Sequence, residues 1–203
     1  MKRAVIATVL LCMTAAASGA TPYGMDAARS TLSFVATQTG APVEGRFHEF
    51  RADIVFADED LANSSFEVTV TTKSVDTGED DRDETLRGSD LFAVKKFPTA
   101  RFVTTGFKRT GTDRYEASGK LTLRDVTREI RFPFTFERRT TADGAEARLE
   151  GSVELNRLDY GVGQGDWKDT TWVADEVTVK FALRLLPAGK KFIPKTPERD
   201  TAK

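Results

Sequence analysis

His48 is the single histidine in the 203-residue chain, and Cys12 is the single cysteine. One histidine excludes a multi-histidine metal centre within the chain and makes any serine–histidine–acid triad depend on His48 alone. His48 stands among Phe47, Glu49 and Phe50 on an expected strand. No serine occupies a Gly-x-Ser-x-Gly elbow, so a structural role outweighs a catalytic one. Cys12 lies in an apolar leader whose removal would take the only thiol nucleophile with it. Asp76, Glu79, Asp80, Asp81, Asp83 and Glu84 crowd one stretch that invites calcium, but their spacing is not that of an EF-hand. Arg82 and Arg87 are interleaved to pair with them, and helix capping with solvation accounts for the cluster better. Gly161-Val162-Gly163-Gln164-Gly165 has the glycine density of a phosphate loop without its Gly-Lys-Ser/Thr ending, and reads as a turn. Nothing places two carboxylates across a cleft as glycoside hydrolysis requires. The inventory predicts no catalytic residue, no metal ligand and no required cofactor, and so a protein that is not an enzyme.

What the chain has in quantity is hydrocarbon. It carries 14 Phe against 3 Tyr and 2 Trp, and Phe adds apolar area without a polar group that must find a partner. Ile130, Phe132, Phe134 and Phe136 recur at every second position, as do Val177, Val179, Phe181, Leu183 and Leu185. That period puts one dry and one wet face on each strand. Strands are expected at about 30–37, 43–58 with a bend, 65–74, 99–107, 112–124, 128–138, 145–156 and 173–185. Gly111, Asp125, Asp143-Gly144 and the Gly161 to Asp166 segment punctuate them. Short connections without intervening helices predict an antiparallel all-β chain. Eight strands suit a closed barrel or a two-sheet sandwich, and periodicity does not choose between them. Ser74 through Phe97 breaks the rhythm. Thr77 and Asp80 have the spacing of a capping box opening a short helix, from which Leu86 and Phe92 would face inward. The segment is either a structural crossover or a cover over an apolar interior. Trp167 and Trp172 either cover one end of that interior or anchor their own loop.

The ends set the setting. Lys2 and Arg3, an apolar run from Ala4 to Ala17 and Ser18-Gly19-Ala20 predict a cleaved signal peptide over 1–20, hence a soluble periplasmic domain. Removing 20 of 203 residues leaves 183, enough for one domain with a sizeable core. Taking Lys2 and Arg3 from 30 basic residues leaves 28 against 31 acidic ones, a formal charge of −3. With both signs scattered, there is no basic footprint for nucleic acid. The domain is expected over 21–187, followed by a polar tail over 188–203 from which Phe192 and Ile193 could pack back.

The order and spacing of several motifs resemble the YceI-like family of periplasmic polyisoprenoid-binding proteins. They are Ser30-Thr31-Leu32-Ser33-Phe34 with Val43, Gly45, Phe47 and Phe50, then Thr77-Gly78, Arg82-Asp83, Leu86-Arg87, Asp90, Phe92, Phe97-Pro98 and Phe102. Gly119-Lys120-Leu121-Thr122-Leu123, Val126-Thr127 and Asn156-Arg157-Leu158-Asp159-Tyr160-Gly161 complete the set, and the likeness spans about Tyr23 to Leu186. Thr85 stands where the family often has histidine, and Asp125-Val126-Thr127 replaces a Gly-Val-Thr turn. The resemblance implies an extended antiparallel, eight-stranded, lipocalin-like β-barrel with a short helical excursion. Its elongated cavity would hold a long-chain isoprenoid lipid, either a polyprenyl chain or an isoprenoid quinone. It further implies no catalysis, and a homodimer in some members; a carrier of this kind is expected to make transient membrane contact or to meet a lipid donor or acceptor protein. The residues expected to line the cavity are Phe34, Phe47, Phe50, Phe56, Phe66, Val68, Leu86, Phe92, Phe102, Leu121, Leu123, Phe132, Phe134, Phe136 and Phe181, with Trp167 and Trp172 at one end. The competing expectation is a non-catalytic structural or adaptor β-domain with a filled core, acting through its surface.

Overall fold

Alternating side chains put the apolar half of each strand on one side of a single sheet that curls until its first and last strands meet. The computed structural model describes residues 20–141 and 144–188. The expected signal peptide and the tail beyond 188 lie outside the described residues. The strands are β1 (Thr21–Met25), β2 (Thr31–Gln38), β3 (Ala41–Phe47), β4 (Phe50–Phe56), β5 (Ser65–Thr71) and β6 (Val75–Asp76). After helix α1 (Asp80–Arg87) come β7 (Thr99–Gly111), β8 (Arg114–Leu123), β9 (Val126–Thr141), β10 (Gly144–Asn156) and β11 (Val173–Pro187).

Pairing is antiparallel throughout. β11 meets β10 on one side and both β2 and β1 on the other, which closes the sheet. Three walls are broken strands: β1 continues as β2, β3 as β4, and β5 as β6, so eight staves form the barrel. The 43–58 bend falls at His48 and Glu49, which makes His48 a corner residue and not a strand residue. The corner is held by bonds to the neighbouring break: the His48 N–H donates to the Ser74 carbonyl at 3.2 Å, and the Glu49 N–H to Ser74 Oγ at 3.0 Å. At the first break, Ser30 Oγ accepts the Arg184 N–H at 3.0 Å, and the Asp26 N–H donates to the Arg184 carbonyl at 2.8 Å. Side chains and turns thus satisfy the ladder groups that each break frees.

β1 escaped the sequence reading because Pro22 and Gly24 interrupt its pattern. The tight turns are Thr39-Gly40, with φ of +47° and +80°, then Thr112-Asp113 and Arg124-Asp125. In the last of these Arg124, at φ +56°, takes the left-handed conformation.

Candidate ligand cavity

The interior divides in two along the barrel. At the end closed by the β7–β8 turn, Phe56, Phe66, Phe107, Tyr115, Phe134 and Phe136 fill the lumen, with ring centroids 4.5 to 6.0 Å apart. Most of these contacts are edge-on or tilted, as aromatic quadrupoles prefer. Polar groups seal the outside of this plug. Arg138 donates to Asp58 Oδ1 at 2.9 Å and to the Tyr23 hydroxyl at 3.2 Å, and Arg109 lies 5.3 Å from the Tyr115 ring. The Arg138 hydrogen bond holds the Asp58 carboxyl below its ordinary pKa, and the same bond raises that of Arg138.

Toward the other end the walls enclose a cavity of about 290 Å³. Phe34, Phe47, Phe50, Phe66, Val68, Phe102, Leu121, Leu123, Phe132 and Phe181 line it from the strands, and Leu86, Phe92 and Trp167 from the cover. Four anticipated positions do not line it. Phe56, Phe134 and Phe136 point inward but sit at the depth of the plug, and Trp172 is turned out, 64% exposed. A period of two reports which face a side chain takes and not how far along the axis it lies. Leu32, Ala36, Ile54, Val70, Leu149, Val153, Leu155, Val177, Val179 and Leu183 complete the wall; their signal was the same alternation.

Three rings lie against the wall and not across the lumen. Phe34 covers its cross-strand partner Gly45, Phe181 covers its partner Gly151, and Phe102 covers Gly119. A Cβ on these glycines would come within 2.3, 2.5 and 2.5 Å of ring carbons. Inward glycines therefore let the phenyl groups fold flat, which keeps hydrocarbon on the wall and space in the middle. Gly45 and Gly119 stood among the family-like motifs, but register was needed to show what they do.

The cover has two parts. The first is α1 with its flanks. Asp83, buried, accepts hydrogen bonds from the Thr77 N–H at 2.8 Å and Thr77 Oγ1 at 2.7 Å. The expected Thr77–Asp80 box is not formed, because the helix starts after Glu79 and Thr77 lies too far back to cap it. Arg87 donates to the carbonyls of Lys73 at 2.9 Å and Val75 at 2.6 Å, tying the helix end to the wall. Asp76 accepts from the Gly78 N–H at 2.8 Å and Arg46 Nε at 3.2 Å, and His48 Nε2 lies 2.6 Å from its Oδ2. The contact with His48, then those with Gly78 and Arg46, hold its pKa at about 2. Much of the acidic cluster is thus fastening, and His48 belongs to it. Thr85 lines the cavity but turns its hydroxyl back to the Asp81 carbonyl.

The second part is the 157–172 segment, pinned by Arg157. This guanidinium is buried and donates to the carbonyls of Ala174 at 3.0 Å, Val162 at 3.0 Å and Val173 at 2.7 Å. Burial lowers its pKa, opposed by Asp175. Gly163, at φ +124°, passes so close that a Cβ would meet Arg157 Nη1 at 2.0 Å. The Asp90 carbonyl accepts both the Gly163 and Gln164 N–H groups, at 2.9 and 2.8 Å, which joins the two parts. Arg157 and Tyr160, both on the lining, carried no chemical signal in the sequence beyond membership of a motif. Beside α1, β3 pairs with β6 only through Arg46 and Phe47. Its edge from Ala41 to Gly45 therefore has no strand partner on that side among the described residues, and this gap in the wall borders the cavity through Val43 and Phe47.

A closed antiparallel barrel, solid at one end and hollow beneath a helical cover at the other, is a lipocalin-like barrel in outline. The chain belongs to the YceI-like domain family, whose match runs over residues 23–185. It is similar to a UPF0312 protein of Vibrio vulnificus, 30% identical over 169 residues that cover 80% of this chain and 89% of the relative. Among solved structures it resembles BcnA of Burkholderia cenocepacia, with a TM-score of 0.75 and 34% identity over 79% of this chain and 98% of that one. A polyisoprenoid binding domain from Saccharophagus degradans shares the fold at a TM-score of 0.62 and 18% identity, over 81% of this chain and 98% of that one.

Proposed function

We infer that this protein binds the hydrocarbon tail of an isoprenoid lipid, shields it from water and gives it up again, without catalysis. The observation that carries this is the cavity wall, in which hydrocarbon side chains surround empty space and polar ones are few: Gln38, Thr72, Thr77, Arg82, Thr85, Arg157 and Tyr160. Each methylene moved from water into such a wall contributes about 0.8 kcal/mol, so a tail needs no charged anchor. The Saccharophagus degradans domain lends support through its shared fold and its polyisoprenoid binding. A polyprenyl chain or an isoprenoid quinone fits the chemistry equally, since the wall reads the tail and not the head. The N-terminal leader supports a periplasmic setting, with hand-over at a membrane or to another lipid-carrying protein. A surface-acting adaptor would have no use for the hollow half of the barrel.

Native purification followed by organic extraction and mass spectrometry tests the reading. The expected result is a prenyl lipid near one per chain. A folded, lipid-free protein that also fails to take up farnesol would refute it.

A further inference from the structure

Trp172 is the one large hydrophobic side chain that is mostly exposed among the described residues. Its place is specific: the Thr39 N–H donates to the Trp172 carbonyl at 2.8 Å, and Val173 pairs with Gln38. The indole therefore stands beside the tip of the β2–β3 hairpin. That hairpin is unusual in a chain of 30% charged residues, because no Asp, Glu, Lys or Arg occurs from Ser30 to Val43. Thr37, Thr39, Gly40, Ala41 and Pro42 are all exposed there. Other turns differ, with Arg109, Asp113 and Arg114 at the β7–β8 turn and Arg124 and Asp125 at the β8–β9 turn. The uncharged tip adjoins the cavity, since Gln38, Val43, Trp167 and Val173 line it and the unpaired β3 edge borders it.

We propose that Trp172 and the uncharged β2–β3 tip form the surface by which the barrel sits on a lipid bilayer, so that a tail passes between membrane and cavity without crossing water. Trp settles at membrane–water interfaces because its ring is apolar and its N–H is not. An uncharged tip enters the headgroup region without desolvating an ion. The flanking charges select the bilayer. Asp166 and Asp169 accompany Lys168 in the Trp172 loop, and α1 carries Asp80, Asp81 and Glu84 at its surface against Arg82 and Arg87. Lys95, Lys96 and Arg124 on the same cover balance these acids, so the surface carries both signs and fits zwitterionic lipid. Partly buried Trp167, also in the 157–172 cover, gives the contrast: it faces the cavity and belongs to binding.

The proposal deepens the lipid-binding reading, and two measurements separate them. In the first, the full chain and its Trp172→Ser variant are mixed with phosphatidylcholine vesicles, and flotation and tryptophan emission are recorded. The expected result is flotation and a blue shift for the parent, both lost in the variant, with no gain in flotation when phosphatidylglycerol is added. In the second, a fluorescent farnesyl probe is given either dispersed in buffer or dissolved in the vesicles. Affinity for the dispersed probe should change less than twofold in Trp172→Ser, while transfer from vesicles slows at least fivefold. No flotation of the parent, equal transfer by both proteins, or flotation that strengthens with phosphatidylglycerol would each overturn the proposal. Failure of both proteins to bind the dispersed probe would overturn the lipid-binding reading, and flotation would still decide the docking surface.

Discussion

Arg157 shows how a charged residue serves an apolar site. Its three bonds to the carbonyls of Val162, Val173 and Ala174 satisfy backbone groups that the loop over the cavity would otherwise bury unpaired. Substituting Arg157→Met should cost about 3 kcal/mol, read as a lower urea midpoint, because those acceptors lose a charged donor. Gly163→Ala should destabilise the same loop, since its Cβ would lie 2.0 Å from the guanidinium and φ is +124°. Asp76 gives a pH dependence of known sign. Its carboxyl has a pKa of about 2 against an ordinary 3.8, so the stabilisation is complete above about pH 5 and is lost progressively as pH falls through 2 toward about 1. Acid titration of Asp76→Asn should therefore show a lower melting temperature than the parent at pH 5, with the difference narrowing steadily as the pH is brought down to about 2. None of these roles was legible in advance. The sequence marks Arg157 and Asp76 as polar and favours a structural role for His48, but what the three residues fasten shows only in the fold.

At the scale of elements, the reading succeeded where alternation was unbroken and turns were short. The walls from β7 to β11 follow from Phe, Ile, Leu and Val at every second position. The reading failed at β1, where Pro22 and Gly24 hide a strand recruited by β4 and β11. It failed again along the barrel axis, where Phe132 and Phe134 look alike in sequence, yet one lines the cavity and the other the plug. Depth depends on the stagger of paired strands, and stagger is a property of the closed sheet. Register also explains the flattened rings. At Gly45 the three nearest contacts of an added Cβ are all with the Phe34 ring, which lines the cavity and can swing toward its space. Gly45→Ala should keep the fold, with a melting temperature near that of the parent, and lower the occupancy of a bound prenyl tail several-fold by native mass spectrometry.

At the scale of the molecule, the two halves of the barrel divide stability from binding. The aromatic plug supplies a packed core of the density seen in protein interiors, while the hollow half forgoes such contacts. Size sets what the hollow half holds. An apolar cavity of about 150 Å³ accommodates one benzene, so about 290 Å³ takes on the order of a dozen carbons, or two to three isoprene units. Affinity for prenyl alcohols should thus rise steeply from five to fifteen carbons and level off beyond, measured by calorimetry at fixed detergent. Units past the third would stay outside the cavity.

The plug gives this vessel a floor. A tube open at both ends can pass a molecule along, whereas a sack must release through the opening by which it filled. In the proposed function, a tail's far end would reach bottom first and come out last, and its head would stay on the threshold throughout, in view of whatever comes to collect it.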